Sequence, residues 1–160
     1  MPYDPDIHHR HSIRLRGYDY SQPGTYYVTV CTQKKKHIFG EVVEGEMSAN
    51  DCCRIVARAW QDLPGRFPHI TLDEFVVMPN HVHGIIIVGG RQAAPKLGDI
   101  IRAFKSSSAI AVNQALARAG QPVWQRNYYE HIVRNQDELS KIREYIRTNP
   151  LRWPSDPEYS

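Results

Sequence analysis

The chain has 160 residues, 41 % of them hydrophobic and 23 % charged, with a formal net charge of +3. That length suits one domain with a real core. No apolar run reaches the roughly 18 residues that span a bilayer, and the opening "MPYDPDIHHRHSIRLRG" lacks the apolar stretch of a secretory signal. Three cysteines, Cys31, Cys52 and Cys53, form no CxxC pair, so a reducing, cytoplasmic setting is expected. Residues 1–160 read as a single domain with 1–12 as a flexible tail, and the histidines of "DIHHRHS" are assigned no site. The charge is zoned. Between residues 10 and 36, Arg10, Arg14, Arg16, Lys34, Lys35 and Lys36 stand against Asp19 alone; Glu41, Glu44, Glu46 and Asp51 follow without a base; residues 102–147 are basic again. Separated basic zones suit a polyanionic partner, although solvated surface charge would look the same.

In chain order, "TYYVTVCTQ" (25–33) is β-branched and aromatic and predicts a strand, and a basic turn leads to a second strand around 38–43. Helical spacing begins in "SANDCCRIVARAWQDL", with Ser48 or Asn50 as cap and Pro64-Gly65 as stop. Two strands near 70–78 and 81–88 meet at a Pro79-Asn80 turn. A long helix runs from about Leu97 to Ala119, and "PVWQRNYY" reads as a short strand or extended segment. The last helix starts at Asn135, with Glu138 completing a capping-box-like pair, and ends before Pro150. The order β-β-α-β-β-α-β-α predicts an α+β fold: a ferredoxin-like sandwich, with helices packed on one face of a central antiparallel sheet.

"VVMPNHVHGIIIV" (76–88) raises the chemical question. Alternation along a strand puts His81 and His83 on one face, roughly 7 Å apart along it, beside a dry apolar wall. Two neutral imidazoles so placed can converge on one cation. Alternatively, one ring hydrogen-bonds a backbone carbonyl and the other lies near solvent. Further ligands could come from "NQDELSKIREYIRTNP". Leu139, Ile142 and Ile146 mark its buried stripe, Tyr145 lies at the stripe's edge with its hydroxyl free, and Asn149 follows one turn later beside the phenol. A tyrosine beside an oxygen ligand, facing a His-x-His strand, can form a nucleophile-plus-metal site. The plainer alternatives are a boundary aromatic for Tyr145 and a helix-end cap for Asn149.

These segments together resemble a known family. "MPNHVHGIIIV" is similar to the His-hydrophobic-His (HUH) motif of single-strand DNA transposases, and "WQRNYYEHIVRNQDELSKIREYIRTNP" resembles the tail of REP-associated tyrosine transposases. "SIRLRGYDYSQPGTYYVTVCTQ" resembles their opening strand region, so the similarity runs from about Ile13 to Trp153. The resemblance implies that His81 and His83 ligate a divalent metal, Mg²⁺ or Mn²⁺, that Tyr145 is the nucleophile, and that Asn149 matches the position of a third, side-chain oxygen ligand. It implies a single-tyrosine endonuclease and transposase that cleaves and rejoins hairpin-bearing single-stranded DNA through a 5′-phosphotyrosine. Such enzymes act as monomers or homodimers, and no membrane partner is expected. Arg102 and Lys105, three apart on the long helix, are candidate phosphate contacts, with Arg126 and Arg134 and the N-terminal Arg14 and Arg16 behind them. Arg147 and the lysine turn at 34–36 are further candidates, and Trp124 is assigned to the core. Two other readings stay open: a non-catalytic ferredoxin-like module binding structured DNA or RNA, and a metallohydrolase that uses water instead of Tyr145.

Overall fold

The structure is a computed structural model that describes residues 24–89 and 95–156. Arg14, Arg16 and the N-terminal segment expected to be a tail lie outside the described residues. Four strands, β1 (Gly24–Cys31), β4 (Ile70–Met78), β5 (His81–Val88) and β6 (Tyr129–Val133), form one sheet in the order β4-β5-β1-β6. Every neighbouring pair is antiparallel. The fold is therefore α+β around a central antiparallel sheet, as the element order predicted.

The second predicted strand is in fact a separate hairpin, β2 (Gly40–Val43) and β3 (Glu46–Ala49). Its two-residue turn puts Glu44 at φ 51° and Gly45 at φ 78°. Glu-Gly is not the Asn-Gly or Asp-Gly pair that advertises such a turn, so the sequence marked a strand near 38–43 and not the return strand β3. Helix α1 (Asp51–Gln61) is capped by Asn50, whose side chain accepts from the Cys53 N–H at 2.9 Å. Pro64-Gly65 does not stop the helical path at once. It lies inside a four-residue turn, α2 (Leu63–Arg66), at positions where proline's missing N–H has no helical partner to lose. Helix α3 (Leu97–Ala115) ends four residues earlier than expected, because Ala117 turns into the left-handed region at φ 51°. Residues 122–128 are irregular apart from one bridge between Thr32 and Trp124, and β6 begins at Tyr129. Helix α4 (Gln136–Arg147) starts as predicted, with the Glu138 N–H donating to Asn135 Oδ1 at 2.8 Å, and leads into a 3₁₀ turn at Pro150–Ser155.

Helices cover both faces of the sheet, not one. Val28, Val30, Val82 and Ile86 pack with Trp60 of α1 and Phe104 of α3. Gly84 is required there, since a Cβ would lie 2.3 Å from the Trp60 indole. On the opposite face, Tyr27, Ile85 and Tyr129 pack with Leu139, Ile142, Tyr145 and Ile146 of α4. The central strand β5 is apolar on both sides, so each side needs a cover. Ion pairs fasten α4 to the edge strand. Arg143 makes two bonds to Asp73, at 2.8 and 2.7 Å, and Arg147 reaches Glu74 at 2.9 Å. The cysteines are unbridged thiols, and no helix among the described residues is long and apolar enough to cross a membrane.

Candidate metal centre and nucleophile

The alternation of β5 turns His81 and His83 toward α4, and both are buried, at 0 % and 2 % exposure. Their Nε2 atoms lie 2.9 Å apart. Metal–nitrogen bonds of about 2.1 Å at right angles would separate two nitrogens by about 3.0 Å, so the pair is spaced as adjacent ligands. Each ring is fixed from behind. Asn80 Oδ1 lies 2.7 Å from His81 Nδ1 and can only accept, so that nitrogen carries the hydrogen and Nε2 keeps its lone pair. His83 Nδ1 lies 2.8 Å from both the Tyr27 hydroxyl and Thr29 Oγ1. Hydroxyls donate or accept, so they serve either tautomer and allow His83 to offer its Nε2 lone pair too. Burial, then the neighbouring charges of His83 and Lys35, push His81 well below the usual histidine range, while the adjacent Asn149 side chain works the other way. The imidazole is neutral at pH 7, the form a metal needs.

A third group was not foreseen. Asp156 Oδ2 lies 3.7 Å from His81 Nε2, and one ligand atom each from His81, His83 and Asp156 lies within 4.8 Å of the others. Asp156 is 8 % exposed and reaches the histidines because the 3₁₀ turn folds the chain back under them. Trp153 anchors that turn, its ring 6.0 Å from His81 and 5.6 Å from His37. Asn149, the oxygen expected from the sequence, is also present. Helix α4 stops at Arg147, yet Asn149 keeps α-region dihedrals (φ −58°, ψ −44°), which preserves its one-turn relation to Tyr145. Asn149 is 1 % exposed, and its Oδ1 is buried without a hydrogen-bond partner. An orphaned buried acceptor beside two imidazoles and a carboxylate is the donor set of a hard or borderline divalent cation.

Tyr145 stands against this cluster, its ring 5.5 Å from that of His83 in an edge-on arrangement. It is 7 % exposed, more enclosed than a boundary position, and the Arg152 guanidinium lies 4.8 Å over its ring. The predicted DNA contacts do not join the cluster. Arg102 is exposed and donates to Asp99 at 3.2 Å. Lys105 spends its ammonium on the carbonyls of Gln125, Arg126 and Asn127 at 2.9, 3.0 and 3.2 Å, so it clamps a loop. Burial pushes Lys105 down to about 8, and the three carbonyls favour the charged form. Arg102, Lys105 and Arg126 line a groove of about 540 Å³ that shares no residue with the histidine cluster, and Arg134 is exposed at the end of β6. Trp124 is in the core, its Nε1 donating to Ser108 at 2.9 Å. Asp156 and Arg152 escaped the sequence reading because nothing in "PLRWPSD" marks a turn back toward β5. Tyr27 and Thr29 had a usable signal, since both lie on one face of β1, but their opposition to His83 is a matter of register.

Comparison with known proteins agrees with this geometry. Residues 23–149 match the family described as "Transposase IS200 like". An uncharacterized protein of Haemophilus influenzae is 38 % identical over 178 residues, covering 98 % of this chain and 97 % of that one. Among solved structures, a REP-associated tyrosine transposase bound to a REP hairpin shares the fold at a TM-score of 0.64 and 20 % identity, covering 88 % of this chain and 73 % of the other. A candidate transposase from Deinococcus radiodurans R1 follows at 0.54 and 19 %, covering 84 % and 95 %.

Proposed function

Because the chain belongs to the IS200-like transposase family, we propose that it nicks and rejoins single-stranded DNA with Tyr145 as nucleophile and His81, His83, Asp156 and Asn149 as the metal-binding set. The observation that carries this reading is the convergence of those five buried side chains in one corner between β5, α4 and the 3₁₀ turn. A binding module has no use for such a corner.

A divalent ion, Mn²⁺ or Mg²⁺, supplies Lewis-acid polarisation of the scissile phosphate when bound. The protein's own part is placement. Asn80, Tyr27 and Thr29 hold the two imidazoles in orientation, and the α4 ion pairs hold Tyr145 against them. The phenol oxygen attacks phosphorus as the bond to the 3′-oxygen breaks. The phenol proton passes to solvent and the leaving 3′-oxygen takes one up. The product is a 5′-phosphotyrosine that stores the phosphodiester energy, so a later 3′-hydroxyl reseals the strand without an external energy source. The strand order and the packing of α1 and α3 on one face support a ferredoxin-like sandwich, with α4 added on the other. The REP hairpin bound by the structurally similar transposase supports hairpin-bearing single-stranded DNA as substrate. The packing of α4 on the sheet of its own chain supports a site assembled within one chain.

Incubation of the protein with single-stranded hairpin DNA and Mn²⁺ tests the reading on a denaturing gel. The wild type is expected to give a covalent protein–DNA adduct, and Tyr145→Phe to lose adduct and cleavage while keeping its fold. Cleavage at the normal rate by Tyr145→Phe would establish water as the nucleophile instead.

A further inference from the structure

Tyr145 has two neighbours of opposite kind. His83 meets one edge of its ring, and Arg152 covers a face at 4.8 Å. On the Arg152 side the surface opens into a cavity of about 420 Å³ lined by Lys141, Glu144, Tyr145, Thr148, Leu151 and Arg152. Arg152 is held in place there. One Nη donates to Thr148 Oγ1 at 2.7 Å, and that hydroxyl donates to the Glu144 carbonyl in the last turn of α4 at 2.8 Å. The remaining guanidinium donors are available to the paired oxygens of a phosphate. Neither Lys141 nor Arg152 forms an ion pair with a carboxylate among the described residues. Even with Glu144 on the rim, the lining keeps a net positive charge. Leu151, 67 % exposed, adds an apolar surface of the kind a sugar or base covers.

Stereochemistry selects what would lie there. In an in-line displacement the attacking and leaving oxygens stand on opposite sides of phosphorus. The nucleotide that leaves with the 3′-hydroxyl departs on the side away from Tyr145. The nucleotide that stays, joined through its 5′-phosphate, remains with the tyrosine. Resting on the nicking reaction proposed above, we propose that this cavity is a subsite for the retained DNA strand, in which Arg152 and Lys141 grip the phosphodiester immediately 3′ of the scissile one. The grip holds the covalent intermediate's strand in register until a 3′-hydroxyl arrives. It is separate from the metal corner, which acts on the scissile phosphate alone.

A charge-deletion cycle on full-length protein tests this. Hairpin oligonucleotides carry a neutral methylphosphonate at the first phosphate 3′, or 5′, of the mapped cleavage position. They are paired with wild type, Arg152→Gln, Arg152→Lys and Lys141→Gln. Equilibrium binding is read in a Tyr145→Phe background and adduct formation in the native background. The 3′ methylphosphonate and Arg152→Gln are each expected to weaken binding about tenfold, as losing one charge-assisted contact should. Together they should weaken it no further than either alone, and Arg152→Lys should recover part of the loss. The 5′ methylphosphonate should instead multiply with Arg152→Gln. If the 3′ penalty multiplies with both Arg152→Gln and Lys141→Gln, or if neither variant shows a deficit, the subsite is refuted. Should Arg152→Gln fail to fold, Lys141→Gln carries the same cycle. Wild type that cleaves at the mapped position without forming an adduct, with the binding coupling intact, would overturn the tyrosine as nucleophile and leave the strand subsite standing.

Discussion

Asn149→Ala should have opposite consequences in two assays, and the reason lies in its orphaned oxygen. Asn149 Oδ1 is buried in a residue 1 % exposed and has no hydrogen-bond partner. Keeping such an acceptor from water costs about 1–3 kcal/mol. Removing it recovers that penalty. Truncation also leaves a cavity of about 40 Å³, which at roughly 24 cal/mol per Å³ costs about 1 kcal/mol. With EDTA present the cavity offsets part or all of that gain, so the melting temperature should match wild type or rise by up to about 8 °C. With saturating Mn²⁺ the outcome differs. Loss of groups that support a metal weakens binding about 10–100-fold, which removes about 1.4–2.7 kcal/mol of metal-linked stability. At about 2–4 °C per kcal/mol the rise in melting temperature that Mn²⁺ gives should then be roughly 3–11 °C smaller in the variant than in wild type. Thermal melts with and without Mn²⁺, beside isothermal titration, read both quantities. An equal fall in both conditions with unchanged Mn²⁺ affinity would refute the argument and make Asn149 a cap for α4.

Gly84→Ala would drive a Cβ to 2.3 Å from the Trp60 ring and should destabilise the fold by about 1–3 kcal/mol in chemical melts; a wild-type midpoint would mean that α1 does not rest on β5. The Arg143 hydrogen bond, above all, holds the Asp73 carboxyl below its usual value. A depressed folded pKa gives stability that is complete above the unfolded value of about 3.9 and is lost as pH falls through the folded one. Wild type should therefore exceed Asp73→Asn by about 1 kcal/mol near pH 6, with the gap closing as pH drops toward about 2. A gap independent of pH would show that the side chain's shape, not its charge, fastens α4.

Most of the elements, and the two histidines with the tyrosine, were legible in the sequence, because their signals are local. A strand alternates every residue, which decides that His81 and His83 share a face before any partner is known. Helix spacing puts Tyr145 and Asn149 one turn apart, and Asn135 with Glu138 marks where that helix begins. Other features depended on which segments meet. Thr29 faces His83 only through the register of β1 against β5. Lys105 looked like a phosphate contact by its charge and position on the helix, and became a loop clamp once residues 125–127 folded over it. That α4 covers the face opposite α1 and α3 follows from burying both sides of β5. Asp156 and Arg152 carry no local signal at all. A 3₁₀ turn anchored by Trp153 brings one to the histidines and the other onto Tyr145. Periodicity reports what a residue's own element presents. Convergence of distant segments on one corner is decided by packing, so the acidic third group and the cavity beside the tyrosine exist only in the folded chain.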